Sequence, residues 1–302
     1  MKIINIKSIS RENEEVYNLE TEDNHNYYVN SILVSNCHQL KKSNSITNYV
    51  QRLKSPVKLG MTGTLPDSQE DVWSLFGTLG PVLHEEEIFD LQKEGYISNV
   101  KIRALKFVHQ NKPEGIYRFG EEVTFETMDD ARKAFMFECS YIESCDEINK
   151  TIVELAKKLP GNILVLFDHI EHGQRLFELS NNEKKYFIDG SVAIDVREDV
   201  RSTLEKSENV VVIANCAVFG TGISVKKINN IIFAMSGKGT TKIIQAIGRG
   251  LRLHESKEKL LLIDTFHNYR YSTKHFNQRL LLYEKNYKIK LKNEEIKSIE
   301  ID

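Results

Sequence analysis

The pair Asn36-Cys37 holds two groups that can break and remake a peptide bond. The side-chain amide of Asn36 can attack its own backbone carbonyl, closing a succinimide and cutting the bond to residue 37. The Cys37 thiolate can accept an acyl group from a thioester. His25, which titrates near neutral pH, is the candidate for the proton transfer that makes the scissile bond labile. A second constellation lies far downstream. Gln245, Arg249 and Arg252 are spaced by four and three, so a helix would carry them on one face, and two guanidinium groups there suit the charge of a transferring phosphoryl group. Singly, an Asn-Cys pair reads as a turn, a histidine as a hydrogen-bonding residue and a basic helical face as solvated surface. The joint spacing is what points to chemistry.

The elements that must position these groups change character near residue 37. Before it come three short runs rich in β-branched and aromatic residues, at 3–9, 16–21 and 27–34, the last broken at Asn30-Ser31. The first 36 residues read as all-β, with too little apolar surface to fold alone. After residue 37, helical and extended patterns alternate. Helices are expected at 45–54, 148–159, 171–180 and 195–206 and from Thr240; strands at 57–61, 162–167, 185–189, 209–215, 230–234 and 259–264. Strands without internal alternation, each followed by a helix, imply a parallel α/β sheet covered on both faces. Residues 101–147 show weaker periodicity and read as a connector, and 266–302 as a charged helical tail.

Composition bounds the function classes. The 302 residues are enough for two domains, and a net charge of -2 provides no global positive field, so any nucleic-acid binding needs local patches. Cys37, Cys139, Cys145 and Cys216 are too sparse for a disulfide framework, which favours a reducing, cytosolic compartment. No signal-peptide core or long apolar stretch marks the chain as exported or membrane-spanning. His169 and His172, expected on the exposed start of a helix, have no further ligand at zinc spacing, and no metal site is expected in this chain.

The segment VYNLETEDNHNYYVNSILVSNC, residues 16–37, resembles the C-terminal splicing region of inteins, and residues 1–36 resemble naturally split intein C-fragments. The resemblance implies that His25, Asn36 and Cys37 are the splicing residues, with Cys37 the junction residue of the product. Two positions depart from the common pattern. Ser35 stands where His is frequent, placing more acid-base work on His25, and Asn18 stands where Asp is usual and cannot ionise. Residues 1–36 carry three basic residues (Lys2, Lys7, Arg11) against six acidic ones (Glu12, Glu14, Glu15, Glu20, Glu22, Asp23), so a complementary N-fragment is expected to be basic.

From Cys37 onward the chain resembles superfamily 2 helicases. Cys37-His38 looks like the rear half of a DECH box, Thr62-Gly63-Thr64 like motif III, and Gly190 like the glycine after the strand that follows motif IV. Gly220-Thr221-Gly222 looks like motif V, whose backbone amides and hydroxyl suit nucleic-acid phosphate. Gln245, Gly248, Arg249 and Arg252 look like motif VI, with the arginines facing a γ-phosphate and Gly248 allowing close approach to the nucleotide. The segment SGKGTT at 236–241 lacks the glycine spacing of a P-loop and reads as a loop.

The combined resemblance implies a split-intein C-fragment at 1–36, the rear of a first RecA-like domain at 37–100, a connector at 101–147, a helicase C-terminal domain at 148–265 and a tail at 266–302. It implies ATP and Mg²⁺ as cofactors, with the Mg²⁺-holding Asp-Glu pair on a partner polypeptide. That partner would carry an intein N-fragment fused to the N-terminal helicase half, and the substrate would be DNA rather than RNA. The form of the motifs is nearest to repair and branch-migration helicases of phages, which implies the cytoplasm of a bacterial host. The competing expectation is a truncated helicase remnant that only binds nucleic acid or protein.

Overall fold

A computed structural model describes residues 3–11, 14–21, 27–29, 32–36, 45–52, 57–62, 65–66, 68–83, 85–110, 116–118, 121–123, 131–222, 225–237, 239–255 and 257–301. The chain forms two compact units, residues 1–85 and 86–302. No helix among the described residues is long and apolar enough to cross a membrane.

The described residues up to Asn36 lie in four strands. β1 (Ile3–Arg11) and β2 (Glu14–Thr21) form an antiparallel hairpin in which Ile9 faces Val16. β3 (Tyr27–Val29) pairs antiparallel with β4 (Ile32–Asn36). After α1 (Ser45–Arg52), β5 (Val57–Met61) pairs in parallel with β4, so that Asn36 stands opposite Met61. The boundary expected at 36/37 therefore falls inside one compact unit. α2 (Gln69–Leu79) closes it. The Ser68 hydroxyl caps α2 by accepting the Asp71 N–H at 3.1 Å, and Glu70 and Asp71 place negative charge on its positive end. At the other end Gly80, at φ 94°, takes a positive-φ conformation that suits glycine and stops the helix.

The second unit holds seven parallel strands in the order β10-β11-β9-β12-β13-β6-β14. In chain order it runs α3 (Ile88–Lys93), β6 (Asn99–His109), a small hairpin of β7 (Ile116–Arg118) and β8 (Glu121–Val123), α4 (Ala131–Ser144), α5 (Asp146–Lys158), β9 (Ile163–Phe167), α6 (Ile170–Leu179), β10 (Lys185–Ile188) and α7 (Ile194–Lys206). β11 (Val211–Asn215), α8 (Cys216–Gly222), β12 (Asn230–Phe233), α9 (Thr240–Gly250), β13 (Lys259–His267), α10 (Arg270–Tyr287) and β14 (Ile296–Ile301) complete it. Along β9 every residue is buried, as a strand covered on both faces requires. Alternate residues feed two cores. Leu164 and Leu166 join Phe219 of α8, Ile243 and Ile247 of α9 and Tyr283 of α10; Ile163, Val165 and Phe167 join Ile148 and Ile152 of α5 and Leu176 of α6.

Two sequence expectations are corrected. The stretch read as a connector contains β6, which lies between β13 and β14 inside the sheet. The tail is only partly helical: β13 runs to His267, and β14 forms the sheet edge. Both strands find their partners far away in sequence, so local periodicity reports them weakly.

His172 is a third correction, being buried rather than exposed. Its Nε2–H donates to Asn149 Oδ1 at 2.9 Å, and its Nδ1 has no hydrogen-bond partner among the described residues. Nearby, His109 Nε2 lies 3.0 Å from His267 Nδ1. All three rings are buried. Burial pulls His109 down to about 4 and His172 to about 3, and holds His267 well below its ordinary value. A base with a depressed folded value takes its proton more readily when unfolded, so its contribution is intact above about pH 6.5 and is lost as pH falls towards the folded value. Stability is expected to fall by about 1.4 kcal/mol per buried histidine per pH unit below this point. Urea titrations at pH 7.5 and 5 check this, and His172→Gln should flatten the dependence by one group.

Candidate functional site

α9 carries the densest set of candidate residues. Its inner face, Ile243, Ala246, Ile247, Gly250 and the following Leu251, is buried. Gly250 permits that packing: a Cβ there would lie 2.8 Å from Ile231 and 2.9 Å from Leu260. The outer face presents Gln245 and Arg249, both half-buried, and exposed Gly248. A Cβ on Gly248 would meet nothing within 4 Å, so no neighbour within the structure requires a glycine there. Arg252 differs from expectation, since α9 ends at Gly250 and Arg252 lies in the turn beyond, although still exposed. Partial burial pulls its guanidinium below the usual arginine value and Glu205 pushes it back up, leaving a cation at any working pH.

The end of α9 is held by groups that sequence reasoning passed over. Lys257 Nζ donates to Gly250 O at 2.7 Å and Lys226 O at 3.2 Å, and burial lowers its value to about 8. A cation on the last carbonyls complements the helix dipole. In sequence it sits in ESKEK, a run that reads as solvated. At the start of β6, the Ser98 N–H donates to Leu251 O at 2.7 Å.

The loop leading into α9 is fixed by a buried ion pair. Arg279 Nε donates to Asp264 Oδ2 at 2.9 Å, Tyr283 Oη donates to the same oxygen at 2.7 Å, and Arg279 Nη1 donates to Gly237 O at 2.8 Å. Burial alone would lower the Arg279 value, but the Asp264 carboxylate outweighs it and the net shift is upward. His275 Nδ1 lies 2.8 Å from Ser236 O. Ser236 and Gly237 thus anchor the entry to α9, and the last two residues of the segment read as a loop, Thr240 and Thr241, already belong to the helix. Arg279→Met would leave Asp264 buried and uncompensated, and is expected to cost about 3–5 kcal/mol. Urea denaturation measures this, and Asp264→Asn in the same chain should restore part of the loss.

α8 follows the carboxyl end of β11, where Asn215 Oδ1 accepts the Ala217 N–H at 3.0 Å and Asn215 Nδ2 donates to Asp168 O at 2.9 Å. Gly220, Thr221 and Gly222 form its last turn. α8 and α9 are adjacent: the Arg249 guanidinium lies 6.0 Å from the centre of the Phe219 ring. The structure therefore brings the motif V-like and motif VI-like residues side by side. Gly190 follows β10, and its carbonyl accepts from Arg197 Nη2 at 3.2 Å. In the first unit, Thr62 directly follows β5 and Asn36 ends β4. His25, Cys37, His38, Gly63 and Thr64 lie outside the described residues. His169 is exposed, with Nδ1 2.6 Å from Glu143 Oε1, and no cluster of three or more metal-ligating side chains occurs among the described residues.

An all-parallel sheet with two paired helices at its rim is a frame many proteins share. Residues 145–254 match the family profile of the helicase conserved C-terminal domain. Over those residues the chain is similar to the C-terminal domain of helicases. It is 29% identical over 227 residues to the ATP-dependent DNA helicase uvsW of Enterobacteria phage T4, a match covering 73% of this chain and 42% of that helicase. The chain thus spans about two-fifths of the length of that relative. Among solved structures, the crystal structure of T4 UvsW is similar at TM-score 0.51 and 24% identity, over 80% of this chain and 48% of the other. A fragment of a putative HsdR subunit of a type I restriction enzyme from Vibrio vulnificus YJ016 is similar at TM-score 0.55 and 16% identity, over 81% and 44%. These two likenesses concern the fold.

Proposed function

We propose that this chain is a splicing precursor whose product is an ATP-dependent DNA helicase. Residues 1–36 act as a split-intein C-fragment and pair with an N-fragment carried on a polypeptide that also holds the N-terminal helicase half. His25 moves the proton, Asn36 cyclises to cut the 36/37 bond, and Cys37 receives the acyl group. One observation carries the reading: the rear half of the helicase-like box begins at Cys37, directly after the asparagine that can cut the chain. Cys37 then serves twice, as nucleophile and as third letter of the box.

In the joined product, Gln245, Arg249 and Arg252 contact the triphosphate; His38 completes the helicase box, and Thr62, Gly63 and Thr64 serve as motif III. The exposed outer face of α9 and the open space at Gly248 support this assignment. ATP supplies the hydrolysable phosphoryl group, and its Mg²⁺ is held by the Asp-Glu pair of the partner half. Gly220, Thr221 and Gly222 face nucleic-acid phosphate, with Gly190 on a neighbouring turn. The relation to a phage DNA helicase supports DNA as substrate and the host cytoplasm as location.

The test is to mix the chain with a matching N-terminal partner. A ligated product together with a released peptide of residues 1–36 is expected; association without ligation would favour a binding remnant.

A further inference from the structure

Within the first unit, α2 is apolar on two faces. Leu75 and Thr78 point inward and are buried, Thr78 Oγ1 accepting from Gln51 Nε2 at 3.1 Å. On the opposite side Trp73 is 66% exposed and Phe76 36% exposed, and just beyond the helix Val82 and Leu83 are 46% and 85% exposed. Large apolar side chains exposed on one side of a helix and on the segment that follows it are the kind of surface that marks an interface. The sheet of this unit points the same way: β5 pairs only with β4 among the described residues, leaving its other edge open. Parallel strands are found buried between neighbours and covered on both faces.

We infer that this surface is the exposed half of a split core, and that its occupant is the N-terminal helicase half. The inference rests on the splicing reading for its partner. The phage relative is more than twice as long as the matched region, which covers only 42% of it, so a chain of that relative's length has room for the missing front of such a domain. The front of that domain would add strands to the open edge of β5 and lay apolar side chains over Trp73 and Phe76. Two contacts then bring the halves together before any bond is made: intein with intein, and helicase core with helicase core. The helicase contact persists after residues 1–36 leave.

Trp73 is the chain's one tryptophan, so its emission reports the surface directly. The full chain carrying Asn36→Ala is titrated with a tryptophan-free N-terminal helicase half that lacks the intein N-fragment. A blue-shifted emission, with reduced quenching by acrylamide, is expected. As a second measurement independent of that half folding alone, Trp73→Ser in the full chain is spliced against the complete partner. Half-maximal splicing should need roughly tenfold more partner, with the rate at saturation unchanged, because truncating a buried aromatic anchor weakens association alone. An unchanged half-maximal concentration overturns the inference even if splicing is efficient. A shifted Trp73 signal without ligation by the complete partner would support the docking surface and sink the splicing reading instead.

Discussion

Asn36→Ala is expected to abolish release of residues 1–36 while leaving association with the N-terminal partner intact. The side-chain amide nitrogen of Asn36 is held a fixed few bonds from the carbonyl that must be cut, and its attack there is the step that releases the peptide; tethering of that kind accounts for most of the rate. Removing it should slow cleavage at 36/37 by at least about 10³-fold, since effective molarities of intramolecular nucleophiles are very large. Acyl transfer to Cys37 does not need Asn36. A branched species, with the partner's helicase half held as a thioester on Cys37, should therefore accumulate and yield to hydroxylamine on a denaturing gel. Rapid release of the peptide from this variant would place the cleavage chemistry elsewhere.

The second large effect belongs to Arg249. Arg249→Ala should leave splicing at the wild-type rate and lower ATP hydrolysis by the joined product about 10³-fold or more, the range for removing an arginine that stabilises a transferring phosphoryl group. Arg249 is half-buried on the outer face of α9, and its guanidinium is 6.0 Å from the Phe219 ring centre, so its loss should leave the core intact. A melting temperature close to wild type separates lost chemistry from lost structure. Unchanged hydrolysis would mean that α9 is not the nucleotide-facing helix.

The parts of the fold that the sequence announced are those governed by local pattern. ILVLF at β9 is continuously apolar because both faces are covered, and α9 shows its core stripe through Ile243, Ile247 and Leu251. β6 was harder to see because charged Lys101, Arg103 and Lys106 interrupt it, and its partner β13 lies at the far end of the chain. The termination of α9 before Arg252 had a signal, the Gly250 that packs against Ile231 and Leu260. Arg279 had one too: Ser272, Phe276, Arg279, Tyr283 and Tyr287 step by four, three, four and four along α10, and all are buried. Reading that segment as a charged tail hid a cation built into the core. Lys257 gave no signal, because only the tertiary fold brings the Gly250 carbonyl to it.

The account stands most directly on the mass of the peptide released when the chain meets its partner. Cyclisation of Asn36 predicts a single product of residues 1–36 that is one water lighter than the same peptide ending in a free asparagine carboxylate, appearing in step with ligation and with DNA-stimulated ATP hydrolysis. A peptide of hydrolytic mass or a peptide ending at another residue would contradict it.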